Sequence, residues 1–308
     1  MSRRSTSAGI VAGIVTVALW ASWAAVSRMG VIGALDPFDM TMLRFTVATL
    51  VLLPVLARGT DRHAIAGVKW PAAFWLWLSG GAPYTLVIYF GLTLAPAGHL
   101  AVIMPAAIVA FTAIGGRILL GERLTAQRGF GTAAIIVGVI LVGWAGLAEA
   151  GAGAGDAIFI FGALMWSAYG LSAQLYRVDA LKGVAVLSLI SFVTVAPPYL
   201  ILTGDRIFSL PLGDVLFQGF FQGFVTAVLA LILYTRAVTH LGAARASLFT
   251  ALVPPVGLLT AYLILGEVPE GLALAGAAVA TAGMIVSLVA KSAAAPGAGI
   301  PARAPAMD

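Results

Sequence analysis

Long apolar runs, separated by short segments that hold most of the charges, determine what this chain can fold into. About 20 apolar residues in an α-helix span the hydrocarbon core of a bilayer, and the runs lack the alternation of membrane β-strands. Only 9% of the residues are charged, against about a quarter in soluble domains. The sequence therefore predicts an all-α membrane protein with ten transmembrane helices. The predicted spans are residues 8–28, 40–57, 70–92, 98–118, 127–147, 156–176, 183–203, 214–236, 244–265 and 270–290.

The basic residues predict the orientation. With the N-terminus in the cytoplasm, fourteen of the seventeen Lys and Arg residues fall on the cytoplasmic side, leaving Arg28, Arg44 and Arg206 on the other. Because cytoplasmic segments of membrane proteins are enriched in Lys and Arg, both termini are predicted to be cytoplasmic. The bases form no stripe, so we expect the lipid bilayer, and no nucleic acid, as a partner. The predicted location is the inner membrane, in multi-pass form.

An internal repeat divides the chain. Leu-Gly-Glu occurs at 120–122 and again at 265–267, an offset of 145, and Trp20 falls on Trp166 at an offset of 146. Each unit holds five spans, an odd number, so the second unit must be inverted relative to the first, as in many secondary transporters, around a central cavity. The predicted division is a first repeat at 1–148, a flexible linker at 149–155, a second repeat at 156–291 and a disordered tail at 292–308.

The two Gly-Glu pairs allow two interpretations. In the first, each glycine ends a helix and each glutamate begins the next helix favourably. In the second, Glu122 and Glu267 form gating contacts on opposite faces of the membrane. The first interpretation is favoured.

Several kinds of chemistry are excluded or disfavoured. The absence of cysteine excludes disulfides and thiolate metal sites, and the chain has no P-loop, HExxH or GxSxG. We therefore expect no enzyme, no cofactor and no metal. All twelve acidic residues fall in loops or at helix ends, and His99 is the one weak candidate for a proton site at membrane depth. Facilitated diffusion or exchange is favoured over tight proton coupling.

Helix-breaking residues interrupt four spans. They are Ser79–Pro83 in the third span, Pro105 in the fourth, Pro197–Pro198 in the seventh and Pro254–Pro255 in the ninth. Broken helices expose backbone groups that a polar cavity can satisfy. The alternative is a packing kink without a ligand.

Aromatic and amide side chains within the spans predict a binding site for a small amphiphile, a zwitterion or an organic cation. Arg28 and Arg44 are candidates to attract a substrate carboxylate. The alternative for the aromatic residues is packing or an interfacial belt. The predicted substrate-binding residues are Trp20, Trp23, Tyr84, His99, Trp166, Tyr169, Gln218 and Gln222.

These motifs resemble the EamA-type branch of the drug/metabolite transporter superfamily. The resemblance rests on 18–22 (ALWAS) with Arg28, on 43–45 (LRF), and on the two Leu-Gly-Glu ends, and it extends over residues 8–291. It implies ten helices in two inverted repeats, a central cavity and export of amino acids or other small metabolites across the inner membrane. The family includes aromatic amino-acid exporters, whose cavity aromatics Trp20 and Trp166 would match. Ala21 stands where glycine is common, and Arg28 where lysine is usual.

The sequence thus predicts a secondary transporter that exports amino acids or related metabolites by alternating access. Alternatives within the superfamily are an uptake permease and a multidrug or organic-cation exporter. An intramembrane enzyme or lipid-handling protein lacks polar catalytic groups in the spans, and a structural membrane subunit does not explain the broken helices. The oligomeric state stays open, with a homodimer as one alternative.

Overall fold

The computed structural model describes residues 3–57, 63–119, 121, 125–146 and 152–290. Within these ranges, nine helices are long and apolar enough to cross a membrane. A hairpin of two short antiparallel strands, β1 (Ala64–Ile65) and β2 (Val68–Lys69), precedes the third helix. The helices of the first half are α1 (Arg3–Val31), α2 (Pro37–Leu56), α3 (Trp70–Gly80), α4 (Ala82–Leu94), α5 (Ala97–Leu119) and α6 (Ala126–Gly146). Those of the second half are α7 (Ala152–Leu175), α8 (Ala180–Thr203), α9 (Arg206–Ser209), α10 (Leu212–Gln218), a π-helix (Gly219–Leu229), α11 (Ala230–Leu241), α12 (Ala243–Thr250), α13 (Val253–Leu265) and α14 (Gly271–Val289).

The predicted break in the third span is present. α3 ends at Gly80 and α4 begins at Ala82, so that helices of 11 and 13 residues follow one another end to end. At the break, the backbone N–H of Ala82 donates a 2.9 Å hydrogen bond to the hydroxyl of Ser191 on α8. Each of the two helices is too short to cross a bilayer alone.

The proline-containing spans behave differently from one another. α5 runs through Pro105 and α8 runs through Pro197–Pro198 without ending, so the predicted breaks at these two places are wrong. The ninth run is interrupted between Thr250 and Val253, just before Pro254–Pro255. Proline in the first turn of a helix gives up no hydrogen bond, because the N–H groups there have no partner in the helix.

A π-helix of 11 residues lies between α10 and α11. Such segments are rare and occur frequently at functional sites. The carbonyl of Gln222 in this segment accepts hydrogen bonds from two side chains, Arg44 Nη1 at 3.2 Å and Thr226 Oγ1 at 2.9 Å. The sequence analysis did not predict this element.

Two pairs of glycines join α6 and α14. Gly131 lies against Gly283, and Gly138 lies against Gly276, so the two helices run antiparallel. A Cβ atom added at Gly138 would stand 2.5 Å from the backbone nitrogen of Ala280. Small residues let helix backbones approach closely in membranes, where there is no water to drive association.

The linker between the two repeats is shorter than the predicted 149–155. Because α7 begins at Ala152, residues 152–155 are helical and not part of a flexible segment. Gly155 packs against the end of α4, where a Cβ would come within 3.0 Å of the carbonyl oxygen of Gly91. Residues 149–151, Glu122 and the tail at 292–308 lie outside the described residues.

Candidate functional site

A buried network of hydrogen bonds centres on Gln222 of the π-helix, whose side chain is fully buried. Its Oε1 accepts from Trp23 Nε1 at 2.8 Å, from the Tyr89 hydroxyl at 3.1 Å and, at 3.5 Å, from Arg44 Nη1. Its Nε2 donates to Ser27 Oγ and to Gln218 Oε1, both at 3.0 Å. Polar groups in an apolar interior are costly unless they are paired, and here they are paired with one another.

Arg44 brings a positive charge into this network. It lies seven residues after the start of α2, about 10 Å along the helix. Its guanidinium stands 5.9 Å from the ring centre of Trp23, and its Nη1 also donates to Thr226 Oγ1 at 3.1 Å. Within the described part of the chain, all its hydrogen-bond partners are neutral and no carboxylate pairs with it.

Three aromatic rings form a stack beside the network. Trp166 lies 5.0 Å from Tyr84 and 5.0 Å from Tyr169, measured between ring centres. Trp23 and Trp166 pack against the same hydrophobic cluster, to which Tyr84 belongs. Trp20 lies apart from this stack, with its ring 5.1 Å from that of Tyr234 on α11.

A second group of charges lies at the end of the bundle where α1 meets α2, which we call the α1–α2 end. Arg28 Nε stands 2.8 Å from Glu267 Oε1. The N–H is not aimed at that oxygen, so this is a charge contact and not an aligned hydrogen bond. The other Glu267 oxygen accepts from the backbone N–H of Gly98 at 3.1 Å. Arg28 also donates to the carbonyls of Leu92 and Ala95 at the end of α4.

In the second Gly-Glu pair, the glycine and the glutamate have different structural roles. Gly266 ends α13 with a φ of +70°, and Gly121 after α5 has a φ of +68°. These left-handed conformations favour glycine. Glu267 does not begin the next helix, because Glu270 is the residue that precedes α14. Of the two interpretations given above, the first therefore holds for Gly266, which ends a helix, and fails for Glu267, which does not begin one.

His99 and Asp156 form a buried pair at the same end of the bundle. His99 Nδ1 lies 2.9 Å and 3.1 Å from the two carboxylate oxygens, and the residues are 8% and 4% exposed. The sequence analysis placed Asp156 at a helix end and missed its burial. A cavity of about 140 Å³ borders His99, Glu267 and Glu270, and it has room for a few water molecules.

Among the described residues, Asp39 is the other buried acid, and it joins α2 to α8 and α9. Its carboxylate accepts hydrogen bonds from the Tyr199 hydroxyl and, at 3.1 Å, from Arg206 Nη2. The hydrogen bond to Asp39 raises the pKa of Arg206, which stays cationic. Asp36 caps α2 and lies 3.4 Å from the same guanidinium.

Comparison with known proteins identifies the chain. The family model described as "EamA-like transporter family" matches residues 7–144 and again residues 153–289. The protein belongs to the EamA-like transporter family. The two matched segments also establish the two-repeat organisation of this EamA-like transporter and its character as a multi-pass membrane protein.

Two individual proteins are similar to this EamA-like chain. The "Probable terminal-alkyne amino-acid exporter" of Streptantibioticus cattleyicolor (strain ATCC 35852 / DSM 46488 / JCM 4925 / NBRC 14057 / NRRL 8057) is 28% identical over 291 residues, covering 89% of this chain and 91% of the relative. A protein of known crystal structure superposes with a TM-score of 0.60 at 21% identity, over 92% of this chain and 98% of its own. The second likeness shows the fold alone.

The Gln222 network of this EamA-like protein joins both matched segments. Trp23, Ser27, Arg44 and Tyr89 come from the first segment, and Gln222 with its neighbours from the second. The structure thus brings Trp23, Gln218, Gln222 and Arg44 together, with Tyr84, Trp166 and Tyr169 in a neighbouring stack. It separates from them Trp20 and the α1–α2 end residues Arg28, His99 and Glu267.

Several members of these sites were not among the predicted candidates, namely Ser27, Tyr89 and Thr226 in the Gln222 network and Asp39, Asp156, Tyr199 and Arg206 near the α1–α2 end. A signal for Tyr89 was available, because it matches Tyr234 in the internal repeat. Ser27 lies four residues after Trp23, on the same face of α1. Thr226 follows Gln222 by four residues, but the π-helix that positions it has no clear sequence signal.

Proposed function

We propose that this EamA-like protein is a secondary transporter that exports amino acids or related small carboxylate metabolites across the inner membrane by alternating access. The observation that carries the proposal is the buried network around Arg44 and Gln222, which joins the two repeats inside an apolar helical bundle. Charge within a membrane protein is expensive and usually marks a transport pathway. Binding sites between repeats are a general feature of secondary transporters.

The charge of the network supports a carboxylate substrate. Arg44 presents a guanidinium with neutral partners, and guanidinium groups bind carboxylates with strong, directional hydrogen bonds. The relative from S. cattleyicolor is named as an amino-acid exporter. The same positive charge disfavours an organic cation, which Arg44 would repel. In this proposal Trp23, Tyr84, Trp166, Tyr169, Gln218 and Gln222 line the site, Trp20 borders it, and His99 lies towards the exit.

The direct test is efflux from proteoliposomes preloaded with labelled amino acids. The panel contains propargylglycine, a terminal-alkyne amino acid, together with norvaline and phenylalanine. We expect at least one to leave faster than from protein-free liposomes. If none does, and uptake into empty vesicles is also absent, the amino-acid proposal is wrong.

The proposed architecture has ten spans in two inverted repeats with both termini in the cytoplasm. α3 and α4 together supply the tenth span, since they are joined end to end at Gly81. The antiparallel contact of α6 with α14, each the last helix of its repeat, supports the inversion.

Cysteine labelling tests this topology, because the natural chain has no cysteine. Ala34 and Arg177 are exposed and follow the first helix of each repeat. In intact cells we expect a membrane-impermeant maleimide to label Ala34→Cys, whereas Arg177→Cys reacts only after permeabilisation. The unsubstituted chain is the background control. Labelling of both variants from outside would contradict the inversion.

The α1–α2 end is the outer face in this arrangement, and we propose that its charge contacts close the site to the outside. Arg28 on α1 contacts Glu267 after α13, and Asp39 on α2 contacts Arg206 on α9. Both contacts join one repeat to the other. Opening outward must separate such pairs, so they are suited to an outer gate.

We further propose facilitated diffusion or exchange as the mode of transport. In the described part of the chain two acids are buried, Asp39 and Asp156. Asp39 pairs with Arg206 and Asp156 with His99, both towards the outer end and outside the Gln222 network. Collapsing the pH gradient with nigericin is therefore expected to leave amino-acid efflux from the proteoliposomes unchanged. The opposite result would be a drop in efflux when the pH gradient is collapsed. That drop would be absent in His99→Gln and present in His240→Gln, a control on α11. Such a result would replace facilitation with proton coupling through the His99–Asp156 pair.

A further inference from the structure

The oxygen of the Gln222 side chain receives more donors than an amide oxygen is built to accept. An amide oxygen has two lone pairs, whereas three donors converge on Gln222 Oε1, from Trp23, Tyr89 and Arg44. The shortest of these contacts is 2.8 Å and the longest, from the guanidinium, is 3.5 Å. The guanidinium is thus the most distant of the three donors, and its Nη1 makes shorter hydrogen bonds to the Gln222 carbonyl oxygen at 3.2 Å and to Thr226 Oγ1 at 3.1 Å.

The orientation of the amide follows from its neighbours. Trp23 Nε1 and Arg44 Nη1 can only donate hydrogen bonds, so the oxygen must face them. The amide nitrogen faces two acceptors, Ser27 Oγ and Gln218 Oε1. The side-chain oxygen and nitrogen of Gln222 are therefore not interchanged, and it is the oxygen that faces the guanidinium.

A carboxylate matches these three donors better than an amide does. It offers two oxygens with about four acceptor positions and a negative charge opposite Arg44. Trp23, Tyr89 and Arg44 belong to α1, α4 and α2, so the donors come from three different helices of one repeat. Gln222 enters from the other repeat, on the π-helix.

We propose that the Gln222 side-chain oxygen occupies the position that an oxygen of a substrate carboxylate takes when the substrate binds. A carboxylate substrate displaces the amide and accepts the hydrogen bonds of Trp23, Tyr89 and Arg44. Before the substrate binds, the neutral glutamine partly satisfies the half-buried guanidinium through its backbone and side-chain oxygens, weakly enough for the side chain to be displaced. This inference rests on the proposed function in one respect only, namely that the protein transports a carboxylate.

The test compares Gln222→Glu with Gln222→Met, each as the full chain in detergent. Two quantities are measured: the thermal unfolding midpoint, and the shift of that midpoint when a ligand is added. Gln222→Glu supplies a permanent carboxylate, so its midpoint is expected to exceed that of Gln222→Met. In an Arg44→Gln background that advantage is expected to disappear. Gln174→Glu is the matched control, because it introduces the same carboxylate at an exposed glutamine of α7 outside the Gln222 network.

Ligand response is expected to rank the two variants in the opposite order. Propionate serves as the carboxylate probe and propionamide as its neutral counterpart. We expect propionate, and not propionamide, to raise the midpoint of the wild type and of Gln222→Met. Gln222→Glu is expected to need at least about tenfold more propionate, since its own carboxylate already holds the charge-assisted bond to Arg44 that propionate would form. The efflux of any transported amino acid is expected to fall by a similar factor.

Two results would overturn the inference. One is equal stabilisation of the wild type by propionate and propionamide. The other is a Gln222→Met variant with both a lower unfolding midpoint and a weaker response to propionate than Gln222→Glu. That result is expected if Gln222 serves only to stabilise the fold. Failure of the proposed function would give a different result. The variants would bind propionate in the expected order, but no amino acid in the panel would leave the proteoliposomes.

Discussion

Replacing Arg44 with glutamine is expected to reduce amino-acid efflux by about 10- to 100-fold while the protein stays folded. A hydrogen bond to a charged group contributes about 1.5–3 kcal/mol, which corresponds to that factor in binding. The loss is expected mainly in apparent affinity, since Arg44 acts by holding the carboxylate. The measurement is the initial rate of efflux from proteoliposomes over a range of internal substrate concentrations.

The lysine variant and a matched control sharpen this test. Arg44→Lys keeps the charge but loses the planar fork that binds a carboxylate with two bonds, so it should retain only part of the activity. Arg236→Gln removes an exposed arginine on α11 and should behave like the wild type. If Arg44→Gln transported at the wild-type rate, the assignment of the carboxylate site to this network would be wrong.

Replacing Gly138 with leucine is expected to destabilise the whole bundle. The Cβ alone would stand 2.5 Å from the Ala280 nitrogen and 2.6 Å from the Gly276 oxygen, both of which are backbone atoms. Backbone atoms cannot turn aside as a side chain can, so α6 and α14 must separate. Overpacking costs about 1–3 kcal/mol or more, and we expect the unfolding midpoint to fall by at least about 5 °C.

Gly129→Leu is the control on the same helix. A Cβ at Gly129 meets nothing within 4 Å, and the residue is exposed. Its unfolding midpoint should therefore stay near that of the wild type, with both variants measured as monodisperse protein in the same detergent. A Gly138→Leu variant as stable as Gly129→Leu would contradict the close contact of α6 with α14.

The helical fold followed from the sequence because apolar runs of helical length leave few alternatives in a bilayer. The break at Ser79–Pro83 was predictable, since two glycines and a proline occur together. The continuity of α5 and α8 through their prolines was not, because only the surrounding packing decides whether a proline ends a helix. The π-helix was equally hidden, for its sequence resembles that of an ordinary apolar helix.

The site was predicted in part. Gln218 and Gln222 were candidates as amides within an apolar span, Trp23 as an aromatic residue in a span and Arg44 as a charge that could attract a carboxylate. The four lie together in the structure, and their role in substrate binding stays a prediction. Their precise pairing depends on how helices from the two repeats meet, which spacing along one helix does not reveal. His99 illustrates the limit, since its partner Asp156 lies 57 residues away on another helix.

The glycine contacts between α6 and α14 also limit how the two repeats can evolve. Gly131 and Gly276 occupy equivalent positions in the repeats, as do Gly138 and Gly283, but each packs against the non-equivalent glycine of the other repeat. A larger residue in one copy would therefore meet the backbone of the other. After a duplication, neither half is free to diverge alone at these positions, because the glycine opposite has no side chain that could become smaller.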